Sequence, residues 1–418
     1  MLRLPDQDGG SAALATLLRD EWPRVLASLV RTTGSLQLAE DALGDAVVRA
    51  FEVWPRDGVP DEPRAWLTVV ARRRAVDLLR REARRSEKEA GAGIFVNVDA
   101  PVPDASELRD DLLRLLFTCC HPALTVEAQT ALALRTLCGL STAEVASALL
   151  VPEATMAKRL VRAKRKITDA GIPYRVPPVE ELPERLHGVL TTVYLLFNEG
   201  YLATSGDSPL RRQLTTEANR LSALLRELLP DQVSVIGLEA LLRLHDARTP
   251  ARLDAAGEPI RLSDQDRTLW NRSEIRAGLA LLGTALRTSR DDPDPYVVQA
   301  AIAACHDVAP TWADTNWEAI VSWYDVLLRV AETPVVRLNR AVAIAELRGS
   351  AAGLRELDGV GELADYFPLV AVRTELLARA GRADEARSSL ARAIDTPGNA
   401  AAKRDLSRRV HELLRTYM

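Results

Sequence analysis

At 418 residues the chain is too long for one hydrophobic core, so two or three domains are expected. With 47% hydrophobic residues, 27% charged residues and a net charge of −4, its composition is that of a soluble globular protein. No run of about 18 apolar residues occurs, and the start, "MLRLPDQDGGSAALATLL", lacks the basic end and apolar stretch of a secretion signal, so a cytoplasmic chain without membrane attachment is expected. Four cysteines, Cys119, Cys120, Cys138 and Cys305, show no CxxC spacing and are expected to be small apolar core residues in a reducing compartment. Zinc held by Cys119, Cys120 and His121 is the competing reading, but adjacent ligands without a second cluster give it little support. No metal and no cofactor are expected.

Apolar residues recur at helical spacing nearly everywhere and period-two runs are almost absent, which predicts an all-α protein. In chain order, "LAEDALGDAVVRAFEVW" predicts a helix on which Glu40, Asp41 and Asp45 share one face while Leu38, Ala42, Val48 and Phe51 pack inward. Such a face repels DNA and suits a protein partner, although compensation of the helix dipole accounts for Glu40 and Asp41 nearly as well. "PRDGVPDEP" reads as a loop. The helix "PRAWLTVVARRRAVDLLRREARR" then sets Trp66, Val70, Val76 and Leu79 on a stripe and leaves Arg72, Arg73, Arg74, Arg80, Arg81, Arg84 and Arg85 around it. Arginine beside tryptophan is able to hold single-stranded DNA, but core packing is the ordinary fate of Trp66.

"AGAGIFVNVDAPVPDASE" reads as an extended linker. Beyond it come an apolar helix, a stop at Gly139, Ser141 as N-cap with Glu144 three residues on, a short helix, a turn at Val151 and Pro152, and the helix "EATMAKRLVRAKRKI". This is the order of a helix-turn-helix. Its second helix carries Lys158, Arg159, Arg162, Lys164, Arg165 and Lys166 with almost no balancing carboxylate, as a helix entering a major groove requires. A solvated basic face is the plainer alternative. A second linker, "AGIPYRVPPVEELPE", precedes a long helical remainder. Near its end, Gly381, Ala386, Leu390, Ala393 and Pro397 stand at offsets close to those of tetratricopeptide repeats, with an echo at Gly349 and Leu354; a generic helical array fits equally well.

These motifs, in this order, resemble the extracytoplasmic-function group of bacterial sigma factors over about the first 170 residues. The resemblance implies region 2 over 10–85, a linker over 86–108, the region 4 helix-turn-helix over 109–170, a linker over 171–184, and a C-terminal extension over 185–418, tetratricopeptide-like towards its end. It also implies two partners, core RNA polymerase and promoter DNA. Polymerase would meet Glu40, Asp41, Asp45 and Arg49; the −10 element would meet Arg64, Trp66, Arg72, Arg73 and Arg80; the −35 element would meet Thr155, Lys158, Arg159, Arg162, Lys164 and Arg165. The match departs at Gly44, where glutamine is common, at Arg73, where asparagine is common, and at Ala157 and Lys158, so promoter preference does not carry over. "YLLFNEGY", "LSDQDRTLWNR" and "TPVVRLNRAVAIAE" resemble motifs of the subgroup with a large extension, which the resemblance implies is required for activity or its control. Asn198, Glu199, Gly200 and Tyr201 mark the first of these motifs, and an intramolecular contact between the extension and the sigma domains is one way it would act.

Asn198, Glu199, His187, His245, Asp246, Arg248, Asp266 and Arg267 are candidate polar residues for catalysis, which would require them to converge in one pocket. No P-loop, GxSxG or HExxH pattern is present, so a non-enzymatic sigma factor is expected. The alternative is a stand-alone helix-turn-helix regulator with a sensing helical domain, which would need neither the acidic helix nor the linker.

Overall fold

The computed structural model describes residues 7–86, 105–149, 151–203, 209–289, 293–360 and 366–416. The first linker lies almost wholly outside them. Eighteen α-helices and no strand are formed among the described residues, as the sequence pattern predicted. The chain divides into two compact units, Met1–Leu195 and Leu196–Met418.

In the first unit α1 (Gln7–Thr33), α2 (Leu36–Asp57) and α3 (Pro63–Ser86) pack on one another. Gly34, at φ 67°, turns the chain between α1 and α2, and the Ser35 side chain caps α2 by accepting from the Leu38 amide. The buried side of α2 is Leu38, Ala42, Leu43, Ala46, Ala50 and Trp54. Val48 and Phe51 were expected inside, yet they are 60% and 41% exposed. The alanines and Trp54 already fill the stripe that meets α1 and α3, and Val48 and Phe51 fall on the other side.

Helices α4 (Ala105–Cys119), α5 (Val126–Leu137), α6 (Thr142–Ala148) and α7 (Glu153–Asp169) follow. The capping box is formed: Ser141 accepts from the Glu144 amide at 3.1 Å and Glu144 from the Ser141 amide at 2.7 Å. Met156, Leu160, Ala163 and Ile167 seat α7 on α5 and α6. The segment 171–184, read as a linker, is packed: Pro177 is buried, and the Tyr174 hydroxyl lies 2.9 Å from the Ala27 carbonyl and 2.6 Å from that of Asp111. The first part of α8 (Leu182–Tyr201) closes the unit, with Arg185 donating to the Phe117 carbonyl at 3.3 Å.

In the second unit α9 (Arg212–Leu228), α10 (Val233–Asp246), α11 (Arg272–Thr288), α12 (Pro295–Asp307), α13 (Trp317–Val330), α14 (Pro334–Arg348), α15 (Ser350–Leu357), α16 (Phe367–Arg379), α17 (Ala383–Asp395) and α18 (Ala400–Thr416) pack mainly on their neighbours in sequence. Gly349 and Gly381, at φ 88° and 74°, turn the chain from α14 to α15 and from α16 to α17. Ala386, Leu390 and Ala393 share a core with Leu354 and Leu357.

Candidate nucleic-acid interface

At about 100° per residue, Lys158 and Arg165 fall on the side of α7 opposite its buried stripe, with Arg162, Thr155 and Lys166 along one flank. All five are exposed, and Arg159 is half-buried at the edge of the face. Arg165 pairs with Asp169 at 3.3 Å, a solvated contact of little energetic weight that leaves the guanidinium 82% exposed. Lys166, not singled out as a DNA contact, belongs to this face; its spacing from Thr155 and Arg162 was the available signal. Lys164 does not belong to it. It turns away and forms an ion pair with Glu40 of α2, where Glu40 is 8% and Lys164 20% exposed.

The second basic helix is divided differently. Arg73 and Arg80 of α3 are exposed. Arg72 is 2% exposed, so the expectation that it faces DNA is corrected: burial, helped by the charge of Arg31, lowers its pKa. Arg64 pairs with Glu21 at 2.7 Å. Trp66 stands edge-on to the buried Trp54, with centroids 5.2 Å apart, and is half-buried.

On α2 the acidic residues also separate. Asp41 and Asp45 are exposed, Asp45 paired with Arg74 and Arg49 with Glu52, while Glu40 is taken up by Lys164. With Val48 and Phe51, the exposed face of α2 carries apolar side chains bordered by carboxylates.

Cys119 and Cys120 are buried beside the hydroxyls of Thr136, at 3.3 Å, and Thr192, at 3.6 Å. Burial raises both thiols, Cys120 to about 12, which keeps them neutral and inert. Among the described residues no group of three or more His, Cys, Asp or Glu is placed to hold a metal.

The polar residues weighed for catalysis hold the second unit together, apart from His187, an exposed residue of the first unit. Arg248 donates to Asp307 at 2.6 Å and to the Ala303 carbonyl at 2.8 Å, with both charged groups buried. Arg267 donates to the carbonyls of His306 and Ala309, and both arginines lie against the Trp270 ring, 5.5 Å and 4.8 Å from its centroid. Asp266 caps the short turn at Thr268, and Asn271 caps α11. Asp246 accepts from Asn219 and Thr249. Burial lowers His245, aided by Arg248, Arg252 and His306, and lowers His306 to about 3, aided by Arg248 and Arg267.

The motif of Asn198 to Tyr201 is built in the same way. Glu199 is 3% exposed and lies 3.5 Å from Arg211. Gly200 is helical, and a Cβ there would stand 2.6 Å from the Thr215 amide nitrogen, so the glycine serves a close approach of α8 to α9. Tyr201 lies under Arg252, 3.4 Å from guanidinium carbon to ring centroid, and against Phe197 and His245. Asn198 is half-buried.

Comparison with known proteins adds to this geometry. Residues 17–85 match the model of sigma-70 region 2 and residues 114–167 that of sigma-70 region 4. Residues 185–286 match a family of unknown function, DUF6596. The ECF RNA polymerase sigma factor SigL of Mycobacterium tuberculosis is 31% identical over 169 residues, 40% of this chain and 94% of SigL. The chain belongs to the ECF sigma factors. This sigma factor carries a long C-terminal extension, and over both parts it is 43% identical to an uncharacterized protein of Rhizobium meliloti (strain 1021), across 91% of this chain and 90% of that one. No solved structure matches it. No helix among the described residues is long and apolar enough to cross a membrane.

Proposed function

We propose that this sigma factor binds core RNA polymerase through the exposed face of α2 and directs it to promoters in the cytoplasm. In this reading α3 meets the −10 element through Arg73 and Arg80, with Arg64 and Trp66 at its start, and α7 meets the −35 element through Thr155, Lys158, Arg159, Arg162 and Arg165. Lys166 joins the second set. The observation that carries the reading is the pairing of two faces in one sigma unit: an apolar and acidic one on α2, with Asp41, Asp45, Val48 and Phe51 exposed, and a basic one on α7. In this reading the domains span 10–85, 86–108, 109–170, 171–184 and 185–418, with the extension, tetratricopeptide-like towards its end, controlling or enabling activity without catalysis of its own.

Reversing Asp41 and Asp45 to lysine tests it, because an attractive contact becomes repulsive while both side chains stay in solvent. The doubly reversed protein is expected to keep its helical circular dichroism and to lose most of its retention on core polymerase. Full retention would reject the clamp face and favour the stand-alone regulator. On the DNA side, Arg159→Ala is expected to cost about 1–3 kcal/mol and to relax preference at one −35 position. Lys166→Ala is expected to lower the salt slope of promoter binding by about one unit, as loss of one phosphate contact does, and Lys164→Ala to leave that slope unchanged. Footprinting and binding across a salt series read both.

A further inference from the structure

One flank of α7 has no role in the contacts proposed for it. The buried stripe of Met156, Leu160, Ala163 and Ile167 occupies the core side. On the outer side Arg162 and Lys166 run along one flank of Lys158 and Arg165, and at about 100° per residue the opposite flank carries Ala154 and Val161. Val161 is 67% exposed, more than any other large apolar side chain among the described residues. Local preference does not put it there. A branched β-carbon loses rotamer freedom against the preceding helical turn, and a solvated helix position is better served by lysine, glutamate or alanine. Nor does the core, which Val161 does not enter.

We infer that Val161 reads a thymine of the −35 element through the C5-methyl group of that base. This rests on the reading of α7 as the −35 helix and names what one of its positions selects. Two features of the face argue for DNA as the occupant. The first is charge: the exposed cations Lys158, Arg162 and Arg165 border the valine, so whatever covers it must be anionic at its rim. The second is shape. A helix with its side chains is about 10–12 Å across and the major groove about 12 Å wide, so a helix whose cations reach the phosphates on the walls lays a strip of its surface against the base edges. Ala157 and Ala154, one and two turns before Val161 and both exposed, have no side chain that would hold this strip away. Valine neither donates nor accepts a hydrogen bond, and of the four bases only thymine shows an apolar group in that groove, its methyl. Any other base would set a polar edge against the valine and leave it without a partner. The discrimination is therefore small and specific, about three- to fivefold, the worth of one methyl group taken out of water.

The full chain with core polymerase tests this on a promoter located by transcript mapping, in duplexes where each thymine of the −35 element, on either strand, is replaced in turn by uracil, which lacks only the methyl. With the native chain one such replacement is expected to weaken binding about three- to fivefold. Val161→Ala is expected to weaken binding to the thymine duplex by a similar factor and to be indifferent to uracil at that position. Val161→Thr, which keeps one methyl, is expected to retain most of the discrimination. Each ratio compares two duplexes on the same protein, so a change in folded fraction cancels from it. No thymine at which uracil lowers binding, or equal sensitivity in the native and Val161→Ala proteins, would overturn the inference. An equal loss by Val161→Ala on every duplex, with weaker retention on core polymerase, would also overturn it and assign Val161 to a protein contact. Failure of the α7 reading is recognised separately, because the native chain with polymerase would then bind a scrambled −35 element as well as the intact one.

Discussion

The α2 and α7 faces of the first unit and the helix junctions of the second use charge in opposite ways. In the first, the cations of α7 and the carboxylates of α2 stand mostly in solvent or in pairs that one partner leaves easily. In the second, charge is turned inward: Arg248, Arg267, Asp307 and Glu239 are 6% exposed or less and fasten helix ends to one another. Exposed charges keep their hydration until a partner arrives, so they suit binding. Buried ones are held by hydrogen bonds that cannot be exchanged for water, so they fix one arrangement of helices.

The comparison breaks most visibly at Arg248 and Asp307. Asp307→Ala leaves a buried guanidinium without its carboxylate and is expected to cost the second unit about 3–5 kcal/mol, read from its urea unfolding transition. Arg248→Met with Asp307→Leu is expected to recover most of that loss. Arg162→Ala on α7 is expected to move unfolding by no more than about 0.5 kcal/mol. A large loss there, or none at Asp307, would erase the contrast.

A smaller loss follows acidification. His245 and His306 are held neutral by burial and by Arg248, Arg252 and Arg267, with folded values below the ordinary value near 6.5. Between the folded and unfolded values the unfolded chain binds more protons, so the contribution is complete above about pH 6.5 and is lost as the pH falls towards the folded values. Asp307, which burial pushes up against the pull of Arg248 and Arg267, acts in the opposite direction. The melting temperature of the second unit is therefore expected to fall between pH 7 and 5, and less steeply in His306→Gln. An equal slope in that variant would remove the histidine from the account.

Two helical glycines give the smallest and cleanest test. Gly200→Ala drives a methyl into the Thr215 backbone and is expected to destabilise by about 1–3 kcal/mol. Gly44→Ala, with nothing within 4 Å, is expected to stabilise α2 by about 0.5–1 kcal/mol. Calorimetry on both variants distinguishes a glycine required by packing from one that is merely tolerated.

Helix type, the Ser141–Glu144 cap and the outward set on α7 were legible because each depends on residues within one or two helical turns. Sequence spacing misleads at Arg72, Lys164, Val48 and Phe51, all of them on helices that it places correctly. Arg72 and Lys164 sit at the border of an apolar stripe, where a rotation of some tens of degrees decides between core, neighbour and solvent, while Val48 and Phe51 lie on the side of α2 away from the alanines and Trp54 that fill its core. The role of Gly200 is not legible for a related cause, since a close approach by α9 leaves no local signature.

By itself, then, the sequence determined an all-helical chain, the order of its motifs and the sign of charge on each helix, all products of short-range spacing and composition. Only the tertiary structure decided which charges have partners. Lys164 looks like its neighbours Arg162 and Lys166 along the chain and differs from them because Glu40, more than a hundred residues earlier, is brought against it. The same holds for Arg248 and Asp307, ordinary polar residues in sequence and a buried pair in the fold. Burial and pairing arise from contacts between distant segments, and those contacts exist only once the helices have packed.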